Sequence, residues 1–344
     1  MNVKMKETER YKIIRSNSFN MNFDKNNGFT MMWGKTLDED PQMSPVGPLL
    51  IDIEITDICH GPGGTPCPFC YKANSPNNTS YMDIDTYTKI FESFPKSLTQ
   101  IAFGVDAQCK TNPDWYEIFK YTRQKGIIPN VTVADIDDET AEKLVSVCGA
   151  VACSRYDNKE YCYNSIQKLV NHGMEQVNIH IMISQENLPM VYETMRDYLN
   201  DPRLKNLNAI VLLSLKQKGR GKNYTPLTQE QFKTLVDSAL LYKIPLGFDS
   251  CSCGKFLESV KNHPERKRFE MLSEPCESSI FSFYINTLGH GFPCSFVEGE
   301  GEWKNGIDMT KVVDFNEDVW YSLRLMKFRK ELMDNKRNCP VFNI

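Results

Sequence analysis

Three cysteines crowd a short stretch, Cys59-HGPGGTP-Cys67-PF-Cys70, and thiolates are the soft donors that hold zinc and iron–sulfur clusters. Between and beside them, Gly61, Pro62, Gly63, Gly64, Pro66 and Pro68 forbid regular structure. The thiols therefore ride on a loop that can wrap a metal cluster. Structural zinc sites are normally closed by four protein ligands, whereas three cysteines leave one coordination position open for a substrate. His60 could complete a zinc site, although adjacency to Cys59 is an unusual spacing for a chelating pair. Zinc and unrelated buried thiols both stay open as alternatives.

A second constellation occupies the C-terminal quarter: Cys251 and Cys253, then Cys276, Cys294 and Cys339. Between Cys276 and Cys294 the segment SIFSFYIN alternates like a strand, and a Gly-rich turn follows, so a hairpin would bring these two sulfurs together. Cys109, Cys148, Cys153 and Cys162 need no role, since free cysteine is an ordinary small core residue. Twelve cysteines without a visible secretory signal point to metal or redox chemistry in a reducing interior, hence a cytoplasmic location. The net charge of −4 argues against a basic nucleic-acid-binding face. No apolar run approaches the ~18–20 residues of a membrane span, so no membrane partner is expected.

The elements that must position these residues alternate between strand and helix patterns. LLIDIEITDI (49–58) reads as a strand feeding the first cysteine loop, and a helix over 82–95 follows. Strands TQIAFGVD, PNVTVAD, AVACSRYD, QVNIHIMIS and NAIVLLSLK then alternate with helices ending near Gly126, Gly149, Gly173, Leu199 and Lys243, and PLGFDS comes last. About six β/α units in 200 residues predict a parallel α/β sheet, and in barrels of such units chemistry sits at the strands' C-terminal ends. On the fifth strand Asn178 and His180 share a face by alternation. Lys216, Lys218 and Arg220 form either a solvated charge run or a basic edge for an anionic substrate. The first 48 residues contain a hairpin turning at Asn26-Asn27-Gly28 and a Pro-rich linker, and are too small for a winged-helix peptide-recognition domain.

The C-x7-C-x2-C pattern, with Phe69 just before the last cysteine, resembles the signature of the radical S-adenosylmethionine (radical SAM) superfamily, C-x3-C-x2-C with an aromatic at that position. The departure is a first gap of seven residues instead of three. The resemblance implies a partial (β/α)6 TIM-type barrel over 49–248, with a [4Fe–4S] cluster on Cys59, Cys67 and Cys70. SAM binds the cluster's open iron and is cleaved to a 5′-deoxyadenosyl radical. It also implies SAM contacts from Phe69, from Gly104 and Asp106 (the place of a degenerate Gly-Gly-Glu-Pro motif), and from Ser154 and Arg155. Asp106 could instead cap the next turn, and Arg155 could instead make a surface salt bridge.

Cys276-x12-Gly289-x4-Cys294 resembles the opening of the SPASM/twitch extension, which implies a small auxiliary Fe–S domain over 249–344. The full SPASM run is absent, so one twitch-like auxiliary [4Fe–4S] cluster is expected, on Cys251, Cys276, Cys294 and Cys339. Cys251 is chosen because the GFDSC segment resembles that of a similar branch; alternatively the auxiliary iron stays open to bind substrate and Cys251 or Cys253 is a hydrogen-atom donor, and the catalytic candidates are Cys253 and Asp249. The function implied is oxidation or cross-linking of a peptide or protein side chain, with an electron donor such as flavodoxin or ferredoxin. The alternatives are a small-molecule radical SAM dehydrogenase, or a non-catalytic zinc or Fe–S structural protein.

Overall fold

The computed structural model describes residues 3–342, so the outermost two residues of the expected 1–48 and 249–344 segments lie outside the described residues. The chain opens with four short strands, β1 (Lys4–Glu7), β2 (Tyr11–Arg15), β3 (Asn20–Asp24) and β4 (Thr30–Trp33), paired antiparallel in that order. The β3–β4 hairpin turns through Asn26–Gly28 as the sequence predicts, with Gly28 at φ +72°. β1 and β2 escape the sequence reading: every β1 residue is exposed, so that strand carries no buried/exposed alternation to read. The inner face buries Ile14, Phe19, Met21 and Phe23. Lys12 Nζ donates to the Leu98 carbonyl at 2.6 Å, and Phe19 stacks on Phe281. Leu98 and Phe281 precede strands of the central sheet, so the small sheet covers the N-terminal end of that sheet.

Six β/α units follow: β5 (Leu50–Glu54) and α1 (Ile84–Phe91); β6 (Gln100–Gly104) and α2 (Trp115–Gln124); β7 (Ile128–Val133) and α3 (Asp138–Val147). Next come β8 (Ala150–Ser154) and α4 (Lys159–Asn171), β9 (Val177–Ile183) and α5 (Leu188–Asn200), and β10 (Ala209–Ser214) and α6 (Gln229–Tyr242). A seventh strand, β11 (Leu246–Phe248), completes the parallel run. Helix starts are set by side chains that satisfy free backbone N–H groups: Asp83, Asp137 and Asn158 cap α1, α3 and α4, and Thr228 with Gln231 forms a capping box on α6. β9 shows why the register holds. Val177, Ile179, Ile181 and Ile183 are buried, while Asn178, His180 and Met182 alternate onto the other face.

The C-terminal segment adds α7 (Cys253–Ser259), α8 (Arg266–Met271), β12 (Ser282–Ile285), β13 (His290–Phe292), β14 (Ile307–Asp308) and α9 (Leu323–Asp334). The predicted 276–294 hairpin is β12–β13. β12 pairs parallel with β5, from Ser282 opposite Leu50 to Ile285 opposite Ile53. One mixed, mostly parallel ten-stranded sheet results, open, with β11 and β14 at its edges. Among the described residues no helix is long and apolar enough to cross a membrane.

Candidate active site

A cavity of about 490 Å³ opens where the parallel strands end. Its lining comes from the C-terminal ends of β5 to β10, from the loops that follow them, and from Asp249, Tyr284, Ser295 and Phe296. This is the face on which α/β barrels place their chemistry.

Cys59, Cys67 and Cys70 all line the cavity, on the loop after β5. The long first gap is a built structure. Pro62–Gly64 form a 3-10 turn, Gly63 N donates to Asp135 Oδ2 at 3.0 Å, and Gln108 Nε2 donates to the Gly61 carbonyl at 2.8 Å. Gly61 sits at φ +73°, where a Cβ would lie 1.8 Å from the Thr65 carbonyl oxygen, so only glycine fits. Burial raises the Cys59 thiol, against hydrogen bonds from the Ala107 and Gly61 N–H groups to its sulfur. Burial also pushes Cys67 up to about 12, against the Phe69 N–H, the Arg220 charge and the Tyr156 hydroxyl. Phe69 stacks on Tyr156 with ring centroids 5.6 Å apart and meets Tyr224 edge-on.

Gly104, Asp106, Ser154 and Arg155 also line the cavity. The closest neighbour a Gly104 side chain would meet is Glu54, so this glycine lets β5 and β6 approach. Asp106 is buried and turned to its own loop: Oδ1 accepts from Lys110 N, Thr111 N and Thr111 Oγ1 at 2.8–3.0 Å, and Oδ2 from Gln108 N. The capping alternative therefore describes its contacts. Arg155 is 1% exposed, which corrects the surface-salt-bridge alternative. Its Nη2 donates to Glu193 Oε2 at 2.6 Å, while Nε and Nη1 are buried without a hydrogen-bond partner. The guanidinium lies over the Tyr163 ring at 5.8 Å and against Glu193, on α4 and α5, so these two donors are enclosed behind the strand rather than exposed to the cavity. His180 faces the cavity, shares a hydrogen bond with Thr132 Oγ1 through Nδ1, and is lowered to about 4 by burial, so it is neutral at pH 7. Asn178 instead accepts from Asn208.

The structure also brings Cys251, Cys276, Cys294 and Cys339 together, from four separate segments. Burial is the main cause that pushes Cys276 up to about 12 and raises Cys251 and Cys294. Each also feels its neighbours' charge: Cys276 and Cys294 act on Cys251, and Cys339 acts on Cys276 and Cys294. N–H groups of Ser278, of Val297 and Phe296, and of Phe342 point at the sulfurs of Cys276, Cys294 and Cys339. Lys216 hydrogen-bonds Cys251. Cys253, by contrast, starts α7, has Glu274 and Arg337 as its charged neighbours, and does not line the cavity. Asp249 does line it, but its carboxylate pairs with Lys216 and accepts from Ser214 N at 3.1 Å and Ser252 Oγ at 2.7 Å. Among the described residues no three His, Cys, Asp or Glu side chains converge tightly enough to hold a single metal ion.

The Lys216–Arg220 run is not a solvated charge run, which corrects that alternative; its cations have partners within the chain, and Lys216 also lines the cavity. Lys216 is buried on Asp249. Lys218 donates to the Phe296 carbonyl at 2.9 Å, and Arg220 to those of Cys67 and Asn74 at 2.7 and 2.9 Å. This segment staples the cysteine loop to the C-terminal segment. A Cβ on Gly219 would lie 2.3 Å from the Tyr71 carbonyl oxygen, so glycine allows the approach.

Sequence reasoning missed a second polar group. Glu54 is salt-bridged to Lys72 at 3.0 Å and accepts from Asn74 Nδ2 and Tyr284 Oη; Lys72 also pairs with Glu298. The acidic alternation of Asp52 and Glu54 in an otherwise apolar strand was its only signal. Tyr71 and Phe296, whose rings lie 4.4 Å apart, join the stretch after Cys70 to the stretch after Cys294.

No family model matches this sequence, and no curated protein does. Among solved structures, the chain is similar to BtrN in complex with AdoMet and 2-DOIA, with 13% identity, a TM-score of 0.36, and 83% of this chain and 87% of that chain covered. It is also similar to coproporphyrinogen III oxidase (HemN) from Escherichia coli, described as a radical SAM enzyme, with 12% identity, a TM-score of 0.37 and 58% of this chain covered. The match spans about half of the HemN chain, 53%.

Proposed function

We propose that this protein is a radical SAM enzyme. The observation that carries the reading is the gathering of Cys59, Cys67 and Cys70 around a cavity at the C-terminal ends of a parallel sheet. The donor set suits the group: backbone N–H groups aim at Cys59 and Cys67, which stabilises sulfur as thiolate, and among the described residues no fourth cysteine lines the cavity. A [4Fe–4S] cluster held by these three thiolates would supply, with SAM, radical chemistry that removes a hydrogen atom from the substrate. The chain's own residues would do the rest. Arg155, Ser154, Gly104 and Phe69 border the SAM space, and the apolar wall excludes water.

Cys251, Cys276, Cys294 and Cys339 would hold one auxiliary [4Fe–4S] cluster, with Lys216 beside Cys251. Two clusters make about eight irons per chain. The substrate is a peptide or protein side chain, or a small molecule. With SAM inside, a cavity of about 490 Å³ has room for a group of that size rather than a folded segment. A small reducing protein such as flavodoxin or ferredoxin would supply electrons, in the cytoplasm.

Anaerobic reconstitution followed by iron analysis and a SAM-cleavage assay tests this directly. The expected results are iron-loaded protein, 5′-deoxyadenosine on reduction with SAM, and no cleavage after joint replacement of Cys59, Cys67 and Cys70 by Ala. Stoichiometric zinc without iron, or no 5′-deoxyadenosine, refutes it.

A further inference from the structure

We propose that Asp52 is the substrate-anchoring group of the cavity, and that the substrate reaches it through a hydroxyl or amino group. The inference rests on the radical SAM reading for the chemistry, but the anchoring itself stands on the cavity.

The carboxylates that line the cavity are Asp52, Glu54, Asp106 and Asp249. Glu54 is held by Lys72, Asn74 and Tyr284; Asp106 by the backbone of its own loop; Asp249 by Lys216, Ser214 and Ser252. Asp52 alone has no side-chain hydrogen bond among the described residues. It sits in the middle of β5, where the alternation that buries Ile51 and Ile53 turns Asp52 to the cavity. In register, its neighbours are Ala102 on β6 and Tyr284 on β12. The methyl group of Ala102, itself part of the lining, leaves space in front of the carboxyl.

A central strand favours apolar, β-branched residues, yet Asp52 sits there half-buried, its carboxyl facing whatever enters the cavity. Among the described residues no internal donor meets it. Tyr71 and Glu277 are the ionisable groups that feel its charge, and neither is a cation. Burial pushes the carboxyl up to about 7, so near neutral pH it exists in both forms. Either form accepts a hydrogen bond from an O–H or N–H group, and the charged form pairs with an ammonium. The protonated form also donates its own O–H, so a hydrocarbon of the same size is the probe with nothing to offer either form.

The matched probes are perdeuterated propan-2-ol, 2-aminopropane and 2-methylpropane, with a side-chain-deuterated Gly-Ser-Gly peptide to tell a peptide side chain from a free small molecule. The first readout is the protonated-carboxyl C=O stretch in infrared difference spectra of the full chain, assigned to Asp52 by its absence in Asp52→Asn. The alcohol, amine or peptide should shift or remove that band, and the hydrocarbon should leave it. The second readout, on reconstituted enzyme, is the fraction of 5′-deoxyadenosine that carries deuterium. That fraction should be at least about tenfold higher from a donor-bearing probe than from the hydrocarbon, and should fall about tenfold in Asp52→Leu, the loss of one hydrogen bond. An unmoved band, or equal labelling from hydrocarbon and alcohol, overturns the proposal. A shifted band without any 5′-deoxyadenosine keeps the anchoring role and sinks the radical reading instead.

Discussion

Replacing Arg155 by Met separates binding from stability in a way that tests how the cavity is built. Arg155 donates one hydrogen bond to Glu193 and keeps two buried donors, Nε and Nη1, without partners. Each unmet buried donor costs about 1–3 kcal/mol in the empty protein. Met keeps the apolar stem against Tyr163 and removes that cost. Glu193 loses its guanidinium partner but is 36% exposed and keeps Lys159 at 3.3 Å, so its loss is small. The metal-free Arg155→Met protein should therefore be as stable as the parent, or more stable by up to about 2 kcal/mol. SAM binding should be unchanged, because those donors are enclosed against Tyr163 and Glu193; a guanidinium holding the SAM carboxylate would instead cost about 1.5–3 kcal/mol on removal, or roughly 10- to 150-fold in Kd. Urea unfolding of the metal-free chain and equilibrium SAM binding to the reconstituted chain give the two numbers. A loss of SAM affinity of that size, or destabilisation by about 3 kcal/mol, would refute this account of Arg155.

Three further outcomes follow from named contacts. Asp52 has a folded-state pKa raised from 3.8 to about 7, so the folded state holds its proton more tightly. Its contribution is complete below about pH 4 and is lost as pH rises through 7. Relative to the parent, Asp52→Asn should thus gain about 2 kcal/mol at pH 8, discounted for water in the cavity, and nothing at pH 4; an equal gain at both pH values refutes the linkage. Lys216→Met leaves Asp249 half-buried with only Ser214 N and Ser252 Oγ as donors and should cost about 1–3 kcal/mol by urea unfolding, with Lys216→Met/Asp249→Leu recovering much of it. Gly61→Ala forces the Thr65 carbonyl aside, so iron per reconstituted chain should fall from about eight to about four, and full loading would show the loop tolerates the shift.

The order of elements was legible because its signals are local. Strand-like runs marked β5 to β10, and helical spacing with Gly or Pro stops marked several of the helices between them. The β12–β13 hairpin was legible for the same reason. β1, with its four exposed residues, carries no burial pattern, and α7 to α9 follow segments read only for their cysteines.

The sequence by itself determined which residues can do chemistry: the three loop thiols, the four later ones, and Ser154-Arg155 after a strand. Distances between segments far apart in the chain were decided only by the fold. β12 pairing with β5 carries Tyr284 to Glu54 and sets Phe296 on Tyr71. The fold also converts Lys216, Lys218 and Arg220 from a charge run into internal staples and pairs Lys216 with Asp249, while Asp52 has no such partner among the described residues. Whether a charged side chain is spent or free depends on which donors meet it in space, and sequence spacing is silent on that once the partners come from different strands.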